Sequence, residues 1–219
     1  MRSDTARNRR ALIKAAGRLF AETTEPVTMS DIAREAQVST ATAYRQFDSV
    51  DEVLSAFRHS VGLELRDYAP TLSGSGYERL HAVSRHWVDL VVEHGRAMVG
   101  HRSPQGYLAR LRAGVEYLTV QADALADPLA ETIAELKLPA LGDEALFLWN
   151  MLFDPREILD LVDTVRLSPS QAADRLTATL RGALIGWAEQ GPAKAGKHTP
   201  RRTQTTGGIP RASRRTRSA

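Results

Sequence analysis

From Arg9 to Gln190 the apolar residues of this chain return every three or four positions, and no stretch alternates with period two between turn signals. That spacing puts a stripe on one side of a helix and leaves a strand no face to bury. Leu12, Ala15, Ala16, Leu19 and Phe20 make the first stripe, with Arg7, Arg10, Lys14 and Arg18 on the opposite side. Leu80, Val83, Trp87, Leu90, Val91 and Met98 make a second. Leu108, Leu111, Val115, Leu118 and Leu125 make a third, which Leu129, Ile133 and Leu136 extend. Leu176, Leu180, Ala183, Leu184 and Trp187 close the series. The expected class is all-α.

Helix starts are marked by chemistry as well as period. Thr28 and Ser49 each stand three residues before a carboxylate, Asp31 and Glu52, the spacing of a capping box. Asp154-Pro155 and Ser168-Pro169 put proline at the first helical position, where its missing N–H costs nothing. Breaks are expected at Ser73–Gly76, Ser103-Pro104, Pro139 and Gly191-Pro192.

The formal charge of +3 is unevenly spread. Residues 1–50 carry eight basic and six acidic residues, residues 51–189 carry thirteen and twenty, and residues 190–219 carry eight and none. The segment 191–219 has one large aliphatic residue, Ile209, and is expected to be a disordered basic tail, since it cannot bury enough to offset its chain entropy. Such a tail either adds non-specific phosphate affinity or is a solubilising extension. There are no cysteines, so disulfides and thiolate chemistry are excluded. With no apolar run near the ~20 residues of a membrane span and no signal core in MRSDTARNRR, a cytoplasmic protein is expected.

The most informative stretch is Val27 to Leu54. A helix capped by Thr28 would bury Ile32, Ala33 and Ala36. A turn at Ala36–Val38 follows, and Ser39 caps a second short helix, Thr40 to Phe47. This is helix–turn–helix spacing, in which the second helix lies in the major groove with its N-terminal side chains toward the bases. Ala33 is small where two helices approach, and Val38 and Phe47 are apolar anchors. Thr40, Ala41 and Thr42 are short enough to press against base edges.

R-x-x-L-I-x-A-A-x-x-L-F from Arg9, T-x-x-x-I-A-x-x-A-x-V-S from Thr28, then T-A-Y-R-Q-F and D-E-V-L together resemble the DNA-binding domain of the tetracycline-repressor (TetR) family. The resemblance covers about 45 residues in the family's order. It implies a three-helix DNA-binding domain over residues 1–54 and a larger helical effector-binding and dimerisation domain over 55–190. By resemblance, Thr28 and Ser30 meet phosphates, and Ser39, at the start of the reading helix, is also counted among the DNA-binding residues. Thr40, Ala41, Thr42 and Gln46 face the groove or its edge, Tyr44 bonds a phosphate, Arg45 reaches the backbone, and Arg7, Arg9 and Arg10 add arm contacts. Bland alternatives stand beside these: Tyr44 as a packing aromatic and the arginine stripe as a solvated face. Two loops depart from the family's pattern. Gln37 stands where the turn glycine is usual, and Thr23–Pro26 also lacks glycine. Val50 replaces a lysine that commonly grips phosphate.

For the remainder, Gly182-Ala183-Leu184-Ile185-Gly186 permits close helix contact. With Leu176, Leu180 and Trp187 it forms either half of a homodimer interface, beside a helix over Pro155–Arg166, or an intrachain core. Pocket candidates are His86, Trp87, Met98, Tyr107, Tyr117, Trp149 and Asn150, for each of which core packing is the rival reading. No metal site is expected. His81 and His86 splay onto different faces, and His86 and His94 are about 12 Å apart on one helix. No cofactor is expected, and no enzyme either: there is no P-loop, G-x-G-x-x-G, G-x-S-x-G or H-E-x-x-H. The expected function is a homodimeric transcriptional regulator on a palindromic or near-palindromic double-stranded operator, usually a repressor, released by a small and mostly apolar effector. The rivals are a non-specific nucleoid-type binder using its basic ends and, from another class, a small helical enzyme.

Overall fold

The computed structural model describes residues 2–99 and 103–191; the basic tail beyond Gly191 lies outside them. The described chain is helical, with no strand. Ten α-helices follow in order: α1 (Arg2–Glu22), α2 (Met29–Glu35), α3 (Thr40–Tyr44), α4 (Val50–Tyr68), α5 (Gly76–His94), α6 (Tyr107–Arg112), α7 (Glu116–Glu135), α8 (Asp143–Leu152), α9 (Pro155–Asp163) and α10 (Pro169–Glu189). Short 3₁₀ turns follow α4 at Ala69–Thr71 and α5 at Gly95–Met98.

The expected caps are present. Thr28 accepts from the Asp31 N–H while the Asp31 carboxylate accepts from the Thr28 N–H, and Ser168 and Gln171 repeat the arrangement on α10. Ser49 caps α4 through the Glu52 N–H, but the Glu52 carboxylate reaches one residue further back, to the Asp48 N–H at 2.6 Å. Two apolar stripes that read as continuous are broken by backbone. Gly114 (φ +75) ends the run from Leu108, so that α6 and α7 are separate helices. Gly95 (φ +50) ends α5 four residues short of Val99 and leaves Met98 on a 3₁₀ turn. Gln37 adopts φ +57, so the helix–turn–helix turn is made by a residue with a Cβ in the left-handed region.

Packing centres on α4. It is continuous across the expected boundary at residue 54, with Val53, Leu54 and Phe57 buried at one end and Val61 and Leu65 at the other. Its first half lies against α1, where a Cβ on Gly17 would fall 2.3 Å from the Phe57 ring. Its second half lies against α7, where a Cβ on Gly62 would fall 2.4 Å from Val120. Behind α4, α5 packs on α7 and α10. Trp149 stacks on Phe153 with 4.9 Å between ring centroids and donates to the Ser84 hydroxyl, so this buried indole has its partner.

Gly76 is the tightest helix contact in backbone terms, since a Cβ there would lie 2.6 Å from the Glu131 carbonyl carbon and 2.7 Å from the Thr132 nitrogen. Gly76→Ala is expected to lower stability by about 1–3 kcal/mol in urea denaturation, although alanine is the better helix former. Gln37→Gly, which relieves the left-handed turn, is expected to raise stability by about 1 kcal/mol in the same measurement.

Candidate nucleic-acid interface and effector pocket

The short helix α3 is held from below and open above. Ala43 and Phe47 are fully buried, with Ile32 and Ala33 of α2 buried beneath it and Val38 of the turn packed against the same core. On the other side Thr40, Ala41, Tyr44 and Arg45 are exposed and Thr42 and Gln46 are half-buried. Tyr44 exposes 56% of its surface, more than any other large hydrophobic side chain described. That exposure decides against a packing role for Tyr44 within this chain.

Polar side chains along α3 are bonded to one another. The Ser39 and Thr42 hydroxyls are 2.8 Å apart, and the Arg45 guanidinium donates to the Thr42 hydroxyl at 2.7 Å. These bonds fix the rotamers of residues that would otherwise be ordered only on meeting a ligand. Arg9 departs from the expected arm role. Its guanidinium lies 4.1 Å over the Phe47 ring and donates to the Gln46 carbonyl at 3.0 Å, so it clamps the end of α3 to α1. Arg7 pairs with Asp4, and Arg10 is exposed. Arg18, part of the same basic stripe, joins α1 to α2 through Glu35 at 2.9 Å.

Thr28 is exposed, but its hydroxyl donates to the Asp31 carboxylate at 2.6 Å. Hydrogen bonding from Thr28, aided by Arg34, holds the Asp31 carboxyl below its usual range, so the cap is anionic at neutral pH. Ser30 is exposed in the first turn of α2, and Val50, half-buried, packs against the core at the start of α4.

The second site is a cavity of about 320 Å³ between α4, α5, α6, α7 and α9. Trp87, Met98, Tyr107, Tyr117 and Asn150, five of the expected pocket residues, line it. The other two do not. Trp149 is buried in the aromatic core, and the His86 ring lies against Tyr68, 4.2 Å between centroids. The lining is less apolar than expected: Arg58, Arg110 and Arg156 line it with one carboxylate, Asp154. Helix spacing alone does not mark Arg58, which reads as an ordinary charged position on α4. Burial pushes the Arg58 guanidinium down to about 10 and the Tyr107 phenol up to about 12. At neutral pH Arg58 is a cation and Tyr107 a neutral donor.

The expected dimer residues divide. Leu180 is fully buried and Leu176 packs against the same core, so both belong to the protomer. Ala183 is also packed there, whereas Gly182 and Gly186 face outward with nothing within 4 Å of a Cβ. Trp187 is 40% exposed beside Phe147 of α8, and Met151 of α8 is 51% exposed. Phe147 and Met151 of α8 thus lie on the outward apolar side of α10, and Val165, just past α9, is exposed as well. Among the described residues no group of three or more His, Asp or Glu side chains is placed to hold a metal ion, and no helix is long and apolar enough to cross a membrane.

Comparison with known proteins bears on the first site. The family model for bacterial regulatory proteins of the tetR family matches residues 12–57, from Leu12 of α1 to Phe57 of α4. No curated protein matches the chain in sequence. Among solved structures, a Mesorhizobium loti MAFF303099 protein assigned as a TetR-family transcriptional regulator is similar over 84% of this chain and 97% of its own, at 17% identity and a TM-score of 0.48. A Clostridium perfringens protein assigned as a fatty acid metabolism regulator is similar over 78% of this chain and 97% of its own, at 19% identity and a TM-score of 0.49. The match of residues 12–57 falls on the three helices and the capped start of α4 that hold the exposed α3 face, so this segment is similar to the DNA-binding part of bacterial regulatory proteins of the tetR family.

Proposed function

We propose that the chain acts as a homodimer on a two-fold symmetric operator and is released from it by a small molecule bound in the α4–α9 cavity. The observation that carries this reading is the division of α3 into a buried underside and an open upper face of short and polar side chains ending in the exposed Tyr44. A helix so anchored can enter a major groove without disturbing the core that holds it.

In this reading Thr40, Ala41, Thr42 and Gln46 meet base edges. Tyr44 and Arg45 bond phosphates, with Ser30, Arg7 and Arg10 at the flanks. Arg9, Thr28 and Ser39 act one step back, holding α3 and α2 in place. The small molecule would act by changing the distance between two recognition helices, which must match the ~34 Å repeat of successive major grooves. The second copy of the chain would cover the outward face of α8 and α10, where Met151 and Trp187 leave apolar surface exposed.

Two outcomes test this. On a duplex enriched from a random library, Tyr44→Ala or Arg45→Ala is expected to weaken binding about tenfold or more, with circular dichroism and molecular mass unchanged. Unchanged affinity in both variants contradicts the assigned interface. Trp187→Glu is expected to convert the dimer to a folded monomer in sedimentation at micromolar concentration. A variant that sediments as the parent does would remove α8 and α10 from the dimer contact.

A further inference from the structure

The cavity is lined by three guanidinium groups and one carboxylate, and its remaining polar lining is neutral, hydroxyls and carboxamides that can donate as well as accept. Trp87 and Phe153 provide aromatic surface, and Tyr107 and Tyr117 present a phenol each. Arg110 donates to the Tyr117 hydroxyl and Arg156 lies 3.4 Å from Asp154. Arg58 differs from both in what it holds. Its Nε donates to the Ala97 carbonyl at 3.1 Å and its Nη2 to the Val99 carbonyl at 3.0 Å. A guanidinium has five N–H donors, and two backbone carbonyls supply no countercharge. Asp51, on the same helix, acts on Arg58 electrostatically and favours its charge, while Arg110 and Arg156 oppose it. A cavity with this excess of half-buried positive charge gains most from a ligand that brings the opposite sign.

The geometry points to a small organic anion, a carboxylate on an aromatic or aliphatic body, as the ligand of this cavity, with Arg58 as the side chain that reads its charge. This rests on the cavity being the effector site of the proposed function. It also gives the ligand a route to the DNA-binding helices. Arg58 grips the Gly95–Met98 turn and Val99 after it. That turn packs on α1, and its Arg96 donates to the Thr23 carbonyl just past the end of α1 at 3.1 Å. An anion that draws the Arg58 guanidinium toward itself competes with the two carbonyls that hold this turn.

The test uses the full chain and three probes of one shape, about a dozen heavy atoms each, in keeping with a cavity at the small end of ligand pockets. They are 4-phenylbutyrate, 4-phenylbutanol and 4-phenylbutylammonium, and binding is read by calorimetry and by the shift in melting temperature. The carboxylate is expected to bind about tenfold or more tighter than the alcohol, with the ammonium weakest. Arg58→Gln is expected to bring carboxylate and alcohol to within about threefold, and Arg58→Lys to retain the preference. Should Arg58→Gln lose its helicity, Arg156→Gln carries the same reading and is expected to narrow the preference. Equal binding of carboxylate and alcohol, tighter binding of the ammonium, binding of none of the three, or an undiminished preference in a folded Arg58→Gln overturns the proposal. If it fails while the chain still selects a two-fold DNA sequence, the regulator reading stands and only the anion is lost. If the preference holds and no DNA sequence is selected, the reverse applies.

Discussion

The packing of α1 and α7 on opposite halves of α4 is the constraint from which the rest of the arrangement follows. Gly17 admits the Phe57 ring and Gly62 admits Val120, so a single helix is in close contact with the DNA-binding helices at one end and the larger helical bundle at the other. Interiors packed this tightly do not deform continuously, and a shift of α4 against α7 must carry α1 with it or break the Gly17–Phe57 contact. The α3 face and the cavity therefore share a rigid element, and Arg58 lies on it one residue from Phe57, lining the cavity.

Recognition and fold place opposite demands on α3. A five-residue helix has almost no stability of its own, and here it is held by Ala43 and Phe47 below, a Ser39 cap at the start and Arg9 over the Phe47 ring at the end. Its upper face is left free of those duties. Arg9 shows how close the two roles lie. By position it belongs to a basic arm, yet its guanidinium is taken up by the Gln46 carbonyl and an aromatic face, so its charge works on the protein's own helix.

Much of the helix–turn–helix unit was legible because its determinants are local. Caps at Thr28, Ser39 and Ser49, the apolar anchors Ile32, Val38 and Phe47, and the left-handed turn at Gln37 all act within a few residues of one another. The cavity was legible only in part. Trp87, Met98, Tyr107, Tyr117 and Asn150 stand out as soft or polar side chains on apolar stripes, but periodicity does not separate them from Trp149, which is core, or His86, which lies against Tyr68. Arg58 could not be found this way, since its partners are backbone carbonyls about forty residues on, and backbone leaves no mark in composition. The helix breaks at Gly95 and Gly114 were hidden for a related reason: the apolar period runs through them undisturbed, and only the positive φ ends the helix. On α10, Leu176 and Leu180 share a stripe with Ala183 and Trp187, and which of them faces outward depends on where α5 and α8 are packed.

Selection of bound sequences from a random duplex library, with the full chain at ~150 mM salt where exposed charges are well screened, tests the central claim most directly. A two-fold symmetric motif with half-sites about one helical turn or a multiple of it apart is the predicted result, since two copies of α3 related by a dimer axis must meet successive major grooves. Binding at low salt with no enriched sequence would contradict the account and leave the basic ends as the only source of affinity for DNA.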